Sequence, residues 1–255
     1  MRCASFVLLC LALTSVAHAE NWTLRTAARD TPPYYSLDAQ HQAHGACPEL
    51  LSALERKLPG LNVIGKERPL SLALHDVELQ QGSLDILCGV GATDARRAAA
   101  DLLHPLWESR HRLLVRKDDP GNVSSLEELR TAASASPVLA RRMSTFADKL
   151  KSQGIAVDDN SNENEVMLRK LLAQRGRYLY GDELLLQALI RQDGLDRRLR
   201  MLPTVFHRQA LYFLAAKRLD ASKRQQLQTA LQTMEQDGTL PAIRKKYGLA
   251  GISPQ

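Results

Sequence analysis

This sequence predicts an α/β fold with mostly parallel strands, and three observations predict it. Short apolar runs of strand length alternate with helical patterns along nearly the whole chain. Pro and Gly punctuate the boundaries between them, as at Pro59-Gly60 and Arg175-Gly176. No internal repeat and no low-complexity tract interrupts the alternation.

Taken in order, residues 1–19 combine a basic start at Arg2, an apolar middle and small residues at Ala17 and Ala19. That is the pattern of a secretory signal peptide cleaved before Glu20. The apolar run is too short to span a bilayer, and no later stretch is long enough to try. Leu9 is not the small residue that a lipid anchor at Cys10 would need. An exported, soluble chain is expected, with a tether through an uncleaved leader as the alternative.

Trp22 to Ala28 reads as a strand of period two, and Arg29 to Ser36 carries the turn after it. Leu50, Leu51, Leu54 and Leu58 mark a helix over 47–58, with Pro48 near its start and Pro59-Gly60 as its stop. A strand at 61–64, a helix at 70–81 closed by Gly82, and strands at 84–88 and 112–116 follow. A second set begins with the helix start at Ser124-Ser125. Strands at 137–140, 155–157 and 178–180 then alternate with helices at 146–153, 163–174 and 184–192. After Pro203, a strand at 211–215 precedes a long amphipathic helix at 221–236 and a last helix at 241–247, capped by Gly248.

Cleavage would remove Cys3 and Cys10, leaving Cys47 and Cys88 in an oxidising compartment, where an even pair reads as one disulfide. Their spacing fits no metal site, and no neighbouring base would activate a thiolate. The net charge of +6 is scattered rather than gathered in a block interleaved with aromatics, which are 5% of residues. That argues against nucleic acid as a partner and suits an anionic or zwitterionic small molecule.

The stretch richest in chemistry runs from Gly82 to Arg97. Its strand ends at the glycines Gly89 and Gly91, and Thr93 stands three residues before Arg96 at a helix start. Free backbone N–H groups, a hydroxyl and a planar guanidinium fork are the parts of a carboxylate cradle. A solvated helix start is the plainer reading of the same residues.

In this order, the segments resemble the extracellular solute-binding protein family 3, which includes the periplasmic amino-acid-binding components of ABC transporters. The resemblance rests first on Pro32-Pro33-Tyr34-Tyr35 followed by Gly45, and on Gly82 to Asp85 followed by Gly89 and Thr93-x-x-Arg96. Pro105-Leu106-Trp107, Leu113 to Lys117, Ser125 to Leu129 and Gly181-Asp182-Glu183 continue it, and Met234 to Leu240 with Ile243 to Leu249 close it. It implies a two-lobe, type II periplasmic-binding fold with two crossover strands and a ligand cleft between the lobes. Lobe one would comprise residues 20–109 and 207–255, and lobe two residues 110–206.

The resemblance also implies roles. Arg96 would hold the ligand α-carboxylate, with Thr93 and the backbone at Gly91 completing the cradle. Asp182 would accept the α-ammonium, Tyr34 or Tyr35 would cover the ligand side chain, and Ser144 and Thr145 would donate from a helix start in lobe two. The chain departs from the family pattern where Gly91 replaces a frequent Ser, where Arg97 follows Arg96, and where Arg141-Arg142 replace smaller residues. Plainer roles are rim packing for the tyrosines, helix capping for Asp182, and packing for His111 and His207 near the crossings. The implied function is capture of a small zwitterionic solute, an amino acid or derivative, by a monomer without cofactor that delivers it to an ABC permease. Two other classes stay open. One is a cyclohexadienyl dehydratase-like enzyme, with Glu183 and Asp30 as candidate acids; the other is a periplasmic sensor or accessory subunit.

Overall fold

The computed structural model describes residues 21–142 and 144–252. The leader expected at residues 1–19, with Cys3 and Cys10, lies outside the described residues. The described chain opens with β1 (Trp22–Arg25), a small hairpin of β2 (Ser36–Leu37) and β3 (Ala43–His44), and α1 (Ala46–Lys57), which buries Leu50, Leu51 and Leu54. Gly45, just before α1, has φ 118°, and a Cβ there would stand 2.7 Å from the Tyr34 carbonyl oxygen. Only glycine fits this close approach of two backbones.

Next come β4 (Leu61–Ile64), parallel to β1, and α2 (Leu72–Gln81), whose first turn is capped by Ser71 and whose end is closed by Gly82 in the left-handed conformation. β5 (Ile86–Gly91), the short α3 (Asp94–Ala99) and β6 (Ala100–Arg116) lead out of this half. The other half holds α4 (Leu126–Ala135), β7 (Val138–Leu139), α5 (Thr145–Ser152), β8 (Val157–Asp158), α6 (Asn164–Leu172), β9 (Leu179–Asp182), α7 (Glu183–Gln192) and β10 (Leu199–Met201). β11 (His207–Ala216) returns the chain, and α8 (Ala221–Gln236) and α9 (Thr239–Tyr247) pack beside α1.

One sheet joins the halves, in the order β5-β11-β6-β9-β7-β8, with β10 also on β6. β6 and β11 are the crossover strands. Buried apolar clusters stay on either side of them: residues 22–107 and 211–249 form two, and residues 113–202 form two others. Between them the strands carry buried polar residues, Glu108, Ser109 and His111. Apolar packing therefore holds each lobe together, while polar side chains occupy the seam between them.

Two expectations are corrected. The sheet is not mostly parallel: β11 pairs antiparallel with β5 and β6, and β6 pairs antiparallel with β9 and β10. Strand–helix alternation suggests right-handed parallel crossovers, but the two crossover strands enter the sheet from opposite directions and set antiparallel neighbours. The strand expected at 112–116 begins at Ala100. Pro105 argues against a strand there, and the ladder accommodates it by a register shift, Leu211 facing Trp107 and Tyr212 facing Pro105.

Candidate functional site

A cleft of about 480 Å³ opens where the turn after β1, α2, β5, α3, α5 and the end of β9 converge on the crossover strands. Seven side chains or backbones expected at the site line it: Tyr34, Gly91, Thr93, Arg96, Ser144, Thr145 and Asp182. Tyr35 does not. It turns into the core of its own half, where its hydroxyl donates to the Lys66 carbonyl at 2.8 Å. The turn at Thr31–Tyr35, closed by the Tyr34 and Tyr35 N–H groups donating to the Thr31 carbonyl, sends the two rings to different places.

Arg96 lies on α3 with 4% of its surface exposed. Thr93 caps that helix by accepting the Arg96 N–H at 3.2 Å, which fixes where the arginine emerges. The guanidinium is held from the side by Asp76 of α2, Nε to Oδ1 at 2.7 Å and Nη2 to Oδ2 at 3.1 Å, and Nη1 donates to the Gly91 carbonyl at 2.8 Å. Of its five N–H groups these contacts use three, leaving one on each Nη. Those two remain for a carboxylate. Asp76 is a positioning residue that sequence reading missed, because nothing in a helical pattern links position 76 to position 96.

Asp182 caps α7, accepting the Leu185 N–H through Oδ1 at 2.9 Å. Its Oδ2 accepts the Tyr34 hydroxyl at 2.9 Å and the Ser109 hydroxyl at 2.5 Å. Burial pushes its pKa up, against the pull of these donors. The capping role and the cleft position therefore coincide in one residue. Tyr34 is stacked on the buried Trp107, ring centroids 5.9 Å apart, and forms a rigid wall.

Ser144 caps α5 and donates to the Arg141 carbonyl at 2.5 Å, so its hydroxyl is already engaged. Thr145 accepts from the Gln209 side chain at 3.1 Å, a contact between lobe two and a crossover strand. Gln209 fills the space above Gly91: a Cβ there would meet its amide at 3.3 Å. Neither Gln209 nor Arg29 carries a sequence motif. Arg29 reaches the cleft from the turn after β1, donating from Nη2 to the Gly89 carbonyl at 2.7 Å and from Nε to Thr31 Oγ1 at 3.2 Å.

The candidate acids for chemistry stand elsewhere. Glu183 forms an ion pair with Arg112, and Asp30 lines a neighbouring hollow rather than this cleft. His111 is fully buried against the ring edges of Phe146, Tyr180 and His207. Among the described residues, no group of three or more His, Cys, Asp and Glu is placed to hold a metal ion. Cys47 and Cys88 are joined in a disulfide with Cα atoms 5.8 Å apart.

The sequence profile of the bacterial extracellular solute-binding proteins, family 3, matches residues 24–250. The chain belongs to that family. No curated protein sequence matches it. Among solved structures, this family 3 protein is similar to a histidine kinase sensor domain with similarity to periplasmic binding proteins, at 22% identity and TM-score 0.79, covering 91% of this chain and 98% of that one. It is also similar to an ancestral arginine-binding protein bound to glutamine, at 24% identity and TM-score 0.74, covering 88% and 97%. A third is an amino acid ABC transporter substrate-binding protein from Streptococcus pneumoniae bound to L-arginine, at 19% identity and TM-score 0.72, covering 88% and 94%. These likenesses show the type II periplasmic-binding fold.

Proposed function

We propose that this chain is exported by the leader at residues 1–19 and captures a small amino-acid-like solute in the periplasm for an ABC transporter. The observation that carries the reading is Arg96, buried in the cleft with two unspent N–H groups and a carboxylate behind it that keeps the fork aimed. Such a fork matches a ligand carboxylate in two parallel hydrogen bonds. Lobe one comprises residues 20–109 and 207–255 and lobe two residues 110–206. A ligand touching both is held best when they close, and that differential affinity drives closure. Binding, not chemistry, is the proposed activity: the buried acid of the cleft, Asp182, is engaged by the Tyr34 and Ser109 hydroxyls and the Leu185 N–H, and the candidate acids Glu183 and Asp30 stand outside the cleft.

A thermal-shift panel of the mature protein against amino acids, polyamines, opines and small organic acids tests the reading. A ligand at 100 times its Kd adds about 2.7 kcal/mol of stability. A shift with one or more α-amino acids is expected; a panel in which none shifts the transition contradicts the reading. Ligand sensing is a second use of the same cleft, favoured by the likeness to a kinase sensor domain, and a binding partner that recognises only the liganded form would separate it from transport.

A further inference from the structure

Three arginines, Arg29, Arg96 and Arg141, line the cleft, and what matters is which of them has a counter-ion, because its five cationic and four acidic side chains nearly balance. Arg96 has Asp76, but among the described residues the other two have no ion-pair partner within reach: Arg29 meets only the Gly89 carbonyl and the Thr31 hydroxyl, and the buried Arg141 Nε has no hydrogen-bond partner. Burial first, then the charges of Arg141 and Arg96, pull the pKa of Arg29 down to about 9. Arg141 is likewise pulled down, by burial and then by Arg96, with Asp30 and Glu165 acting against this. Both of those acids line the neighbouring hollow, and Arg29 and Arg141 stand on the wall between it and the cleft. No carboxylate that lines the cleft pairs with either arginine: Asp76 is taken by Arg96, Asp159 by Lys151, Asp182 accepts from Tyr34, Ser109 and Leu185, and Asp148 on α5 has no side-chain partner among the described residues. Partly desolvated guanidinium groups without a counter-ion are costly, and an anion placed among them relieves that cost.

We infer that the ligand carries two acidic groups, one held by Arg96 and one received between Arg29 and Arg141. This rests on the proposed solute-binding reading and narrows it to an acidic amino acid or a related short dicarboxylate. A cationic side chain, by contrast, would face two unpaired arginines. Asp182 already accepts from Tyr34, Ser109 and Leu185, so an α-ammonium would share its carboxylate with those neutral donors.

Titration calorimetry with two matched sets tests the inference: L-glutamate, L-glutamine and glutarate, and L-aspartate, L-asparagine and succinate, with L-arginine alongside. In at least one set, a diacid should bind about 30-fold or more tighter than the amide, the loss expected when one member of a buried charge pair is missing. Arg141→Gln and Arg29→Gln, checked for folding by circular dichroism, should each shrink the ratio of diacid to amide affinity, and a ratio unchanged in both variants overturns the inference. An amide or L-arginine binding as tightly as the diacids overturns the inference, and so does a result in which no diacid binds. The two readings fail separately. A neutral or basic amino acid as the tightest ligand leaves solute binding standing and removes the second acid, whereas binding of glutarate or succinate without any amino acid keeps the second acid and removes the amino-acid reading.

Discussion

Arg96 and Arg97 are neighbours in sequence with opposite fates. Arg96 is buried in the cleft with Asp76 beside it, whereas Arg97 is exposed and lines a different surface hollow. Consecutive helical residues diverge by about 100°. Arg96→Ala should therefore weaken ligand binding about 30- to 5,000-fold, and Arg97→Ala should leave it unchanged, by calorimetry with the tightest ligand of the panel. Thr93-x-x-Arg96 was legible because its parts lie within one turn of chain. Asp76, Arg29 and Gln209 were not, since tertiary packing alone brings them to that turn. His111 was rightly read as packed, but its consequence needs the structure. Both ring nitrogens are buried without a hydrogen-bond partner among the described residues, and burial, then the charge of His207, lowers its pKa to about 3. A histidine whose folded pKa is depressed stabilises the fold fully above its ordinary value of 6.5, and the contribution is lost as pH falls from there toward 3. Between pH 6.5 and pH 5 that amounts to roughly 2 kcal/mol. Urea melts of His111→Leu at both pH values should show a shallower loss than wild type; an identical loss would contradict this account of the residue.

At the scale of elements, the end of β5 ties stability to the site. The ladder with β11 skips Gly89, where Tyr212 faces Val90 and Phe213 faces Cys88, and Gly89 has φ 67°. This bulge puts the disulfide and Trp107 on one side, within 3.1 Å and 3.0 Å of where a Cβ would stand. Its carbonyl receives Arg29 from the cleft. Gly89→Ala should cost about 1–3 kcal/mol through strain and crowding. The paired change Cys47→Ala with Cys88→Ala should cost about 3–4 kcal/mol, from the entropy of a loop with sequence separation 41. Denaturant unfolding of each variant gives both values, and a doubly substituted protein as stable as wild type would refute the second. Most helices and short strands were legible from periodicity, caps and stops. The long crossover strand was not, because Pro105 speaks against it locally, and the bulge at Leu106 that admits Pro105 is defined only by the pairing with β11.

For the whole molecule, the apolar clusters hold each lobe together, while Tyr34, Ser109 and Asp182, with Gln209 and Thr145, make the hydrogen bonds across the seam. Motion at the seam therefore exchanges a few polar contacts and the packing of Leu184 of α7 on the first lobe's core, and leaves the buried clusters intact. The two-lobe architecture was legible only through the order of many weak motifs, since no single segment specifies it. Small-angle scattering should give a smaller radius of gyration with saturating ligand than without, as the lobes close. Reversible capture of one solute in this cleft, without chemistry, is read by a single calorimetric titration of the wild-type protein. Heats should saturate at one ligand per chain, with the signal returning to baseline after every injection. A sustained heat flow that scales with protein and never saturates would be turnover, and would contradict it.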